Sequence, residues 1–451
     1  MVTRPGDTES SRVAERRADL QRRHALAKKH GLRTIFHFGS PFMWRNPETG
    51  EVKRNSSEAY NSNPPWFDTE NPKVVEYETV LLKEFRKHFP DVDDILVYTY
   101  DQDAWQASQF SQSRLSRGIP LHERLPKYLK TLHKVWTEGR EGHVMWWEPW
   151  ELSAGQVLKC IPQLPRKDFG LMLHANIAEV QIANPVDVWF RNTCRMARNL
   201  GIPVVAEGFF GSATEEIQPL SFPTPRLVDE ELIALTSVPG VVGVKEYFGV
   251  LPLVPDLNLD VFRARVKDPN TSTAGILDRI TKRFGPAQPD MLRLLELLSE
   301  SMQLFPWDAS WYARLAGTAD INHGWGGAAI RGQQVETPSW CSTRRAHFMK
   351  TDDQQSHPYL LENVQLRCEL AVERLDEALS VTTILMPMLS EADRSLMEQI
   401  ARDADRFRRV AKSYALHLRE TNVARLLRED LEAGRPMIPR LLDEMKELLL
   451  A

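Results

Sequence analysis

Carboxylates, tryptophans and single histidines sit at the ends of short apolar runs through the first 250 residues of this chain, and their spacing suggests the chemistry. The run ILVYTYD ends in Asp101, with Asp103 and Trp105 directly after it. The run HVMWWEPW carries Glu148 between Trp146, Trp147 and Trp150. LMLHANIAEVQ carries His174 and Asn176 and is followed by Asp187; PVVAEG carries Glu207; VVGVKEYFG carries Lys245, Glu246 and Tyr247. An acid inside an otherwise apolar strand needs a partner or a task, because desolvation penalises its charged form. Cleavage of a glycosidic bond uses such residues in pairs: one carboxyl protonates the leaving oxygen, and the other activates water or attacks the sugar carbon. Asp101 and Asp103 would share one side of an extended strand. Glu148, among three tryptophans, would have a raised pKa and suit an acid role. A structural salt bridge is the plain alternative for Glu246 and Glu207, and a satisfied structural histidine for His174. Trp105, Trp146, Trp147, Trp150, Trp325 and Trp340 offer flat faces for stacking on a pyranose, against the alternative of core filling.

The elements that must position these residues follow a repeating grammar. A helical segment runs into a short apolar one, and this recurs at 34–40, 95–101, 143–150, 171–181, 202–208 and 241–249. Helical patterns over 73–88, 121–137 and 188–200 lie between. Strands alternating with helices of this length imply right-handed βαβ units and a parallel sheet. No GxGxxG or GxxxxGK[ST] pattern follows the first strand, which argues against a nucleotide-binding sheet. Charged and aromatic residues at strand C-termini point instead to a (β/α) barrel of the TIM type, whose active face lies there. Six strands are recognisable where a full barrel has eight, so the barrel is expected to be N-terminally incomplete. The expected division is a disordered tail over 1–14, a barrel over 15–275 and an all-α region over 276–451. That last region should contain a long Gly/Trp-rich loop at 318–345. Residues 275–315, 358–388 and 390–433 read as helices, the last with a capping-box start at Ser390 and Asp393 and a stop at Gly434 and Pro436.

Composition narrows the function classes. Hydrophobic residues make up 42% and charged residues 26% of the 451, enough for a large core. A formal charge of -4 gives no overall electrostatic reason to bind nucleic acid or an anionic membrane. The four cysteines are far apart and form no CxxC, and no HxH or HExxH occurs, so neither a metal nor another cofactor is expected. No apolar run is long enough to span a membrane and no secretory leader is visible, which suggests a cytoplasmic location.

The order of five segments resembles the α-glucuronidases that remove glucuronic acid side groups from xylan. The segments are HGLRTIFHFGSP, FPDVDDILVYTYDQDAW, HVMWWEPW, VQIANPVDVWF and KEYFG. The resemblance implies a (β/α)8 barrel and an inverting hydrolysis. It places Asp187 and Glu246 on the two base carboxylates, and Asp103, with Asp101 as the alternative, where that family has a glutamate acid. It also implies that Lys245, Arg191 or Arg331 could meet a uronic carboxylate, with an exposed surface arginine the plainer reading for Arg191 and Arg331, so the expected partner is an oligo- or polysaccharide. The first segment would be the third strand of that barrel, so two strands are expected to be missing, through a truncated reading frame or completion by another chain. Two other readings stand beside this one. The first is a hexosaminidase-type hydrolase using Asp101 and Asp103 with help from the substrate. The second is a non-catalytic carbohydrate-binding protein on a barrel scaffold. Oligomerisation through the helical region is a further expectation.

Overall fold

The structure is a computed structural model of the chain. It describes residues 6, 8–38, 68–98, 114–149, 152, 154–175, 186, 188–208, 210–211, 222–246, 256–306, 358–436 and 438–450.

Six strands form one sheet: β1 Ile35–Phe38, β2 Asp94–Tyr98, β3 Met145–Glu148, β4 Phe169–His174, β5 Val204–Gly208 and β6 Val241–Glu246. They lie in chain order, each parallel to the next. A doubly wound sheet reverses direction at a switch point, and this one never does. Every crossover steps the same way, as in a barrel wall. Among the described residues no ladder joins β1 to β6.

The helices between them begin where the sequence supplies caps. Helix α1 is Ser11–Lys29, and α2 is Pro72–His88, entered through Asn71, whose side chain accepts from the Lys73 amide. Helix α3 is Leu121–Thr137, α4 Ala154–Cys160, α5 Val188–Asn199 and α6 Pro225–Thr236. Helix α7, Leu257–Lys267, is capped by Asp256, which accepts from the Asn258 and Leu259 amides. The α1 span differs from the expected boundary: residues 11–14 are its first turn rather than part of a disordered tail.

Alternation along the strands separates two layers. Val97, Met145, Trp147, Leu171, Leu173, Val204 and Ala206 pack outward against α2, α3 and α5 in the first hydrophobic core, with Leu82, Leu129, Trp136 and Phe190. The alternate positions face inward, among them Trp146, Glu148, His174 and Glu207. Gly170 on β4 makes room there, since a Cβ at that position would lie 2.3 Å from the Trp146 ring.

The chain then becomes all helical: α8 Thr273–Thr281, α9 Gln288–Leu304, α10 Pro358–Leu385, α11 Glu391–Glu432 and α12 Pro439–Leu450. These helices build a second core around Leu294, Leu298, Leu375, Ile400 and Phe407. The change of core falls between Ile276, which belongs to the first, and Phe284, which belongs to the second. The second core also takes in Tyr98, Phe222, Leu227 and Leu257. Tyr98 ends β2, and Leu227 and Leu257 lie at the N-terminal ends of α6 and α7. All three positions belong to the C-terminal face of the sheet, so the helical region packs on that face. Ser390 caps α11 as its sequence requires, accepting from the Asp393 amide while its hydroxyl donates to the Asp393 carboxylate. Among the described residues no helix is long and apolar enough to cross a membrane.

Candidate active site

The strand register brings Glu148, Glu207 and Lys245 together. Tyr98 pairs with Glu148 across β2 and β3, His174 with Glu207 across β4 and β5, and Glu207 with Lys245 across β5 and β6. A slip between Val204 and Val205 shifts the β5–β6 register by one residue. That slip sets Lys245, rather than Val244, opposite Glu207. The Lys245 ammonium donates to Glu148 at 2.9 Å and to Glu207 at 3.1 Å. Both carboxylates are fully buried, whereas the Lys245 side chain keeps 26% of its surface open.

The electrostatics of this triad follow from burial. Burial raises the Glu148 pKa well above the carboxylate range, the charge of Glu207 raises it further, and Lys245 only partly offsets them. Burial also raises Glu207, but Lys245 and a hydrogen bond from Glu148 pull it back. Both acids are therefore held toward their protonated forms, Glu148 more strongly than Glu207. Burial would lower the Lys245 pKa, yet the two carboxylates outweigh it and hold the ammonium above its ordinary value. A paired, hydrogen-bonded group of this kind is the form that a buried polar cluster tolerates.

His174 lies beside the triad on β4. Burial and then the Lys245 ammonium push its pKa down to about 4, so it is a neutral imidazole near pH 7. His37 occupies the inward side of β1, with its ring edge-to-face against Tyr98 at 5.0 Å.

Glu246, next to Lys245 on β6, takes no part in the triad's hydrogen bonds. Its two oxygens accept from the Phe210 and Gly211 amides at 2.9 and 3.0 Å, which ties the end of β6 to the segment following β5. Burial pushes its pKa up to about 8, against the two amides, which favour the anion.

The residues expected at the site fall into three groups. Glu148, His174, Glu207, Lys245 and Glu246 come together at one end of the sheet. Trp147 does not: it is fully buried in the outer core between sheet and helices, so it cannot wall a cleft. Its neighbour Trp146 faces inward against Gly170. Asp101, Asp103, Trp105, Trp150, Asn176, Asp187, Tyr247, Trp325, Arg331 and Trp340 lie outside the described residues. Arg191 is exposed on α5. Sequence reasoning passed over His37 and Tyr98. The signal for His37 was its position between Phe36 and Phe38, where a polar residue alternates with two aromatic ones.

No protein-family model matches the sequence, and a search of curated proteins finds no match. Solved structures do resemble it. A GH138 enzyme targeting pectin rhamnogalacturonan II superposes with a TM-score of 0.54 at 12% identity, over 94% of this chain and 61% of that one. The chain therefore spans about three fifths of that enzyme's length. A mutant form of the Thermobaculum terrenum O-GlcNAc hydrolase aligns at a TM-score of 0.41 and 11% identity, over 93% of this chain and 86% of the other. The first of these shows the fold: a TIM-type β/α architecture followed by helices.

Proposed function

We propose that the protein is a glycoside hydrolase acting at the C-terminal ends of β1–β6 on a saccharide that carries a uronic acid. The observation that supports this best is the Glu148–Lys245–Glu207 triad. Its carboxyls are sealed from solvent while the lysine is part open. Two buried carboxyls beneath one cation fix an ammonium at the rim of the sheet, and a sugar carboxylate is the group an ammonium there would hold. Neutral His174 adds a ring that can hydrogen-bond a hydroxyl without adding charge. The target of the GH138 neighbour, pectin rhamnogalacturonan II, is consistent with a carbohydrate substrate.

In this reading Glu148 and Glu207 position Lys245 and do not touch the sugar. The reacting carboxylates are Glu246, with Asp187, as bases and Asp103 as donor, the assignment that the α-glucuronidase resemblance implies. Glu246, with its pKa near 8, works as a base on the alkaline side of that value. The test is hydrolysis of paired model glycosides that differ only in a C6 carboxylate or a C6 hydroxyl, with free sugar released as the readout. Release from the uronide, at least about tenfold faster than from its neutral twin, supports the reading. Preference for an N-acetylhexosaminide would favour the substrate-assisted alternative. Binding of the uronide without release would favour a carbohydrate-binding protein.

A further inference from the structure

A cavity of about 400 Å³ opens on the other end of the sheet, lined by Lys83, Arg86, Lys87, Pro90 and Arg140. Lys83, Arg86 and Lys87 belong to the last turns of α2, and Arg140 follows α3. Both helices end there before feeding the N-terminal ends of β2 and β3, so the cavity lies across the sheet from the triad. Helix C-termini normally repel anions, because their last carbonyls carry partial negative charge. Here carbonyls at the end of α3 and just beyond α2 are occupied by arginines. Arg86 donates to the carbonyls of Val135 and Glu138. Arg140 donates through Nη2 to those of Pro90 and Val92. The two guanidiniums thus cover these carbonyls while also lining the cavity. Arg140 is also braced against the Trp136 ring at 4.2 Å. Its Nη1 is buried and has no hydrogen-bond partner among the described residues.

Acidic groups nearby offset only part of this charge. Glu84 pairs with Lys87 at 3.6 Å. Asp93 is engaged by Lys28 and Thr34, and Asp94 by Arg33. Asp91 is exposed. Lys83 forms no ion pair among the described residues. Burial and the charge of Arg86 depress the Arg140 pKa, while Asp93, Asp91 and Asp94 pull it the other way.

We propose that this cavity binds a tetrahedral oxyanion, the phosphate group of free phosphate or of a phosphorylated small molecule. Four cationic side chains around a concave space match its charge, and a planar guanidinium matches two of its oxygens. The volume falls within the range of small-molecule sites. The site is separate from the proposed active site and does not depend on that reading.

Calorimetric titration of the full chain at low ionic strength tests it, with inorganic phosphate, inorganic sulfate, a sugar phosphate and glucuronate as separate ligands. Saturable phosphate binding, competed by sulfate and absent with glucuronate, is expected. The K83Q/K87Q variant should bind about tenfold more weakly. Both lysines are exposed, so its melting temperature should match that of the parent. Tighter binding of the sugar phosphate than of phosphate would assign a phosphorylated ligand, and the reverse would assign the free ion. No saturable phosphate binding, equal binding of glucuronate, or unchanged affinity in K83Q/K87Q would each overturn the proposal.

Discussion

Lys245 holds apart two carboxyls that otherwise could not share a dry space. Replacing it with Met removes the cation and leaves Glu148 and Glu207 facing each other, so stability should fall by about 3 kcal/mol or more at neutral pH. The sign with pH follows from the raised pKa values of both acids. The folded form keeps their protons longer than the unfolded one. K245M should therefore lie closest to the parent in acid and fall further behind as pH rises, as urea midpoints at pH 5 and pH 8 would show. Adding E148Q and E207Q should recover much of the loss. Glu246 makes a different prediction. As the base of the proposed hydrolysis, kcat/KM should rise with pH through about 8. E246Q should lower turnover by about two orders of magnitude. A rate that falls through the same pH would make Glu246 the donor instead.

Among the elements, α2 carries an acid on its buried face. Val74, Glu78, Leu82 and Phe85 are its buried residues, and burial, with Glu78 adding to it across the interface, raises the pKa of Tyr128 on α3. Burial pushes the Glu78 pKa up to about 8 from 4.5. The folded state favours the protonated carboxyl. Its contribution is complete below the ordinary value and is lost as pH climbs to about 8. E78Q keeps the shape without the titration. Its urea midpoint should match the parent near pH 5 and exceed it near pH 9. At the other end of the chain, S390A removes the cap of α11 and should cost about 1 kcal/mol.

Across the whole molecule, aromatic rings of the second core reach the C-terminal face of the sheet. Phe407 of α11 lies edge-to-face with Phe222 at 5.2 Å and with Phe305 at 5.1 Å. All three are fully buried. Phe222 precedes α6 on the C-terminal side of the sheet, so these rings anchor the helices to the face that carries the triad. F407A should destabilise the protein by about 3–5 kcal/mol. It should also expose the helical region to limited proteolysis before the barrel. Equal loss of both parts at the parent's rate would mean that the rings are not the anchor.

Much of the architecture was legible in the residues alone. Short apolar runs between helical segments read as six parallel strands, and Ser390 marked a real helix start. Asn71 and Asp256 are caps of the same kind. These signals are local, since a cap or an alternation acts within a few residues. The site was only partly legible. Glu148, Glu207 and Lys245 stood out as charges in apolar strands, but their mutual pairing spans 97 and 38 residues and depends on the shift in register at Val204 and Val205. The same limit applied to the tryptophans. Alternation determines that Trp146 and Trp147 face opposite sides of β3, not which side meets helices. Only the tertiary structure decided that Trp147 enters the outer core while Trp146 lies against Gly170. The physical reason is that both indoles are equally apolar, and which of them is sealed off depends on where the other strands and helices pack.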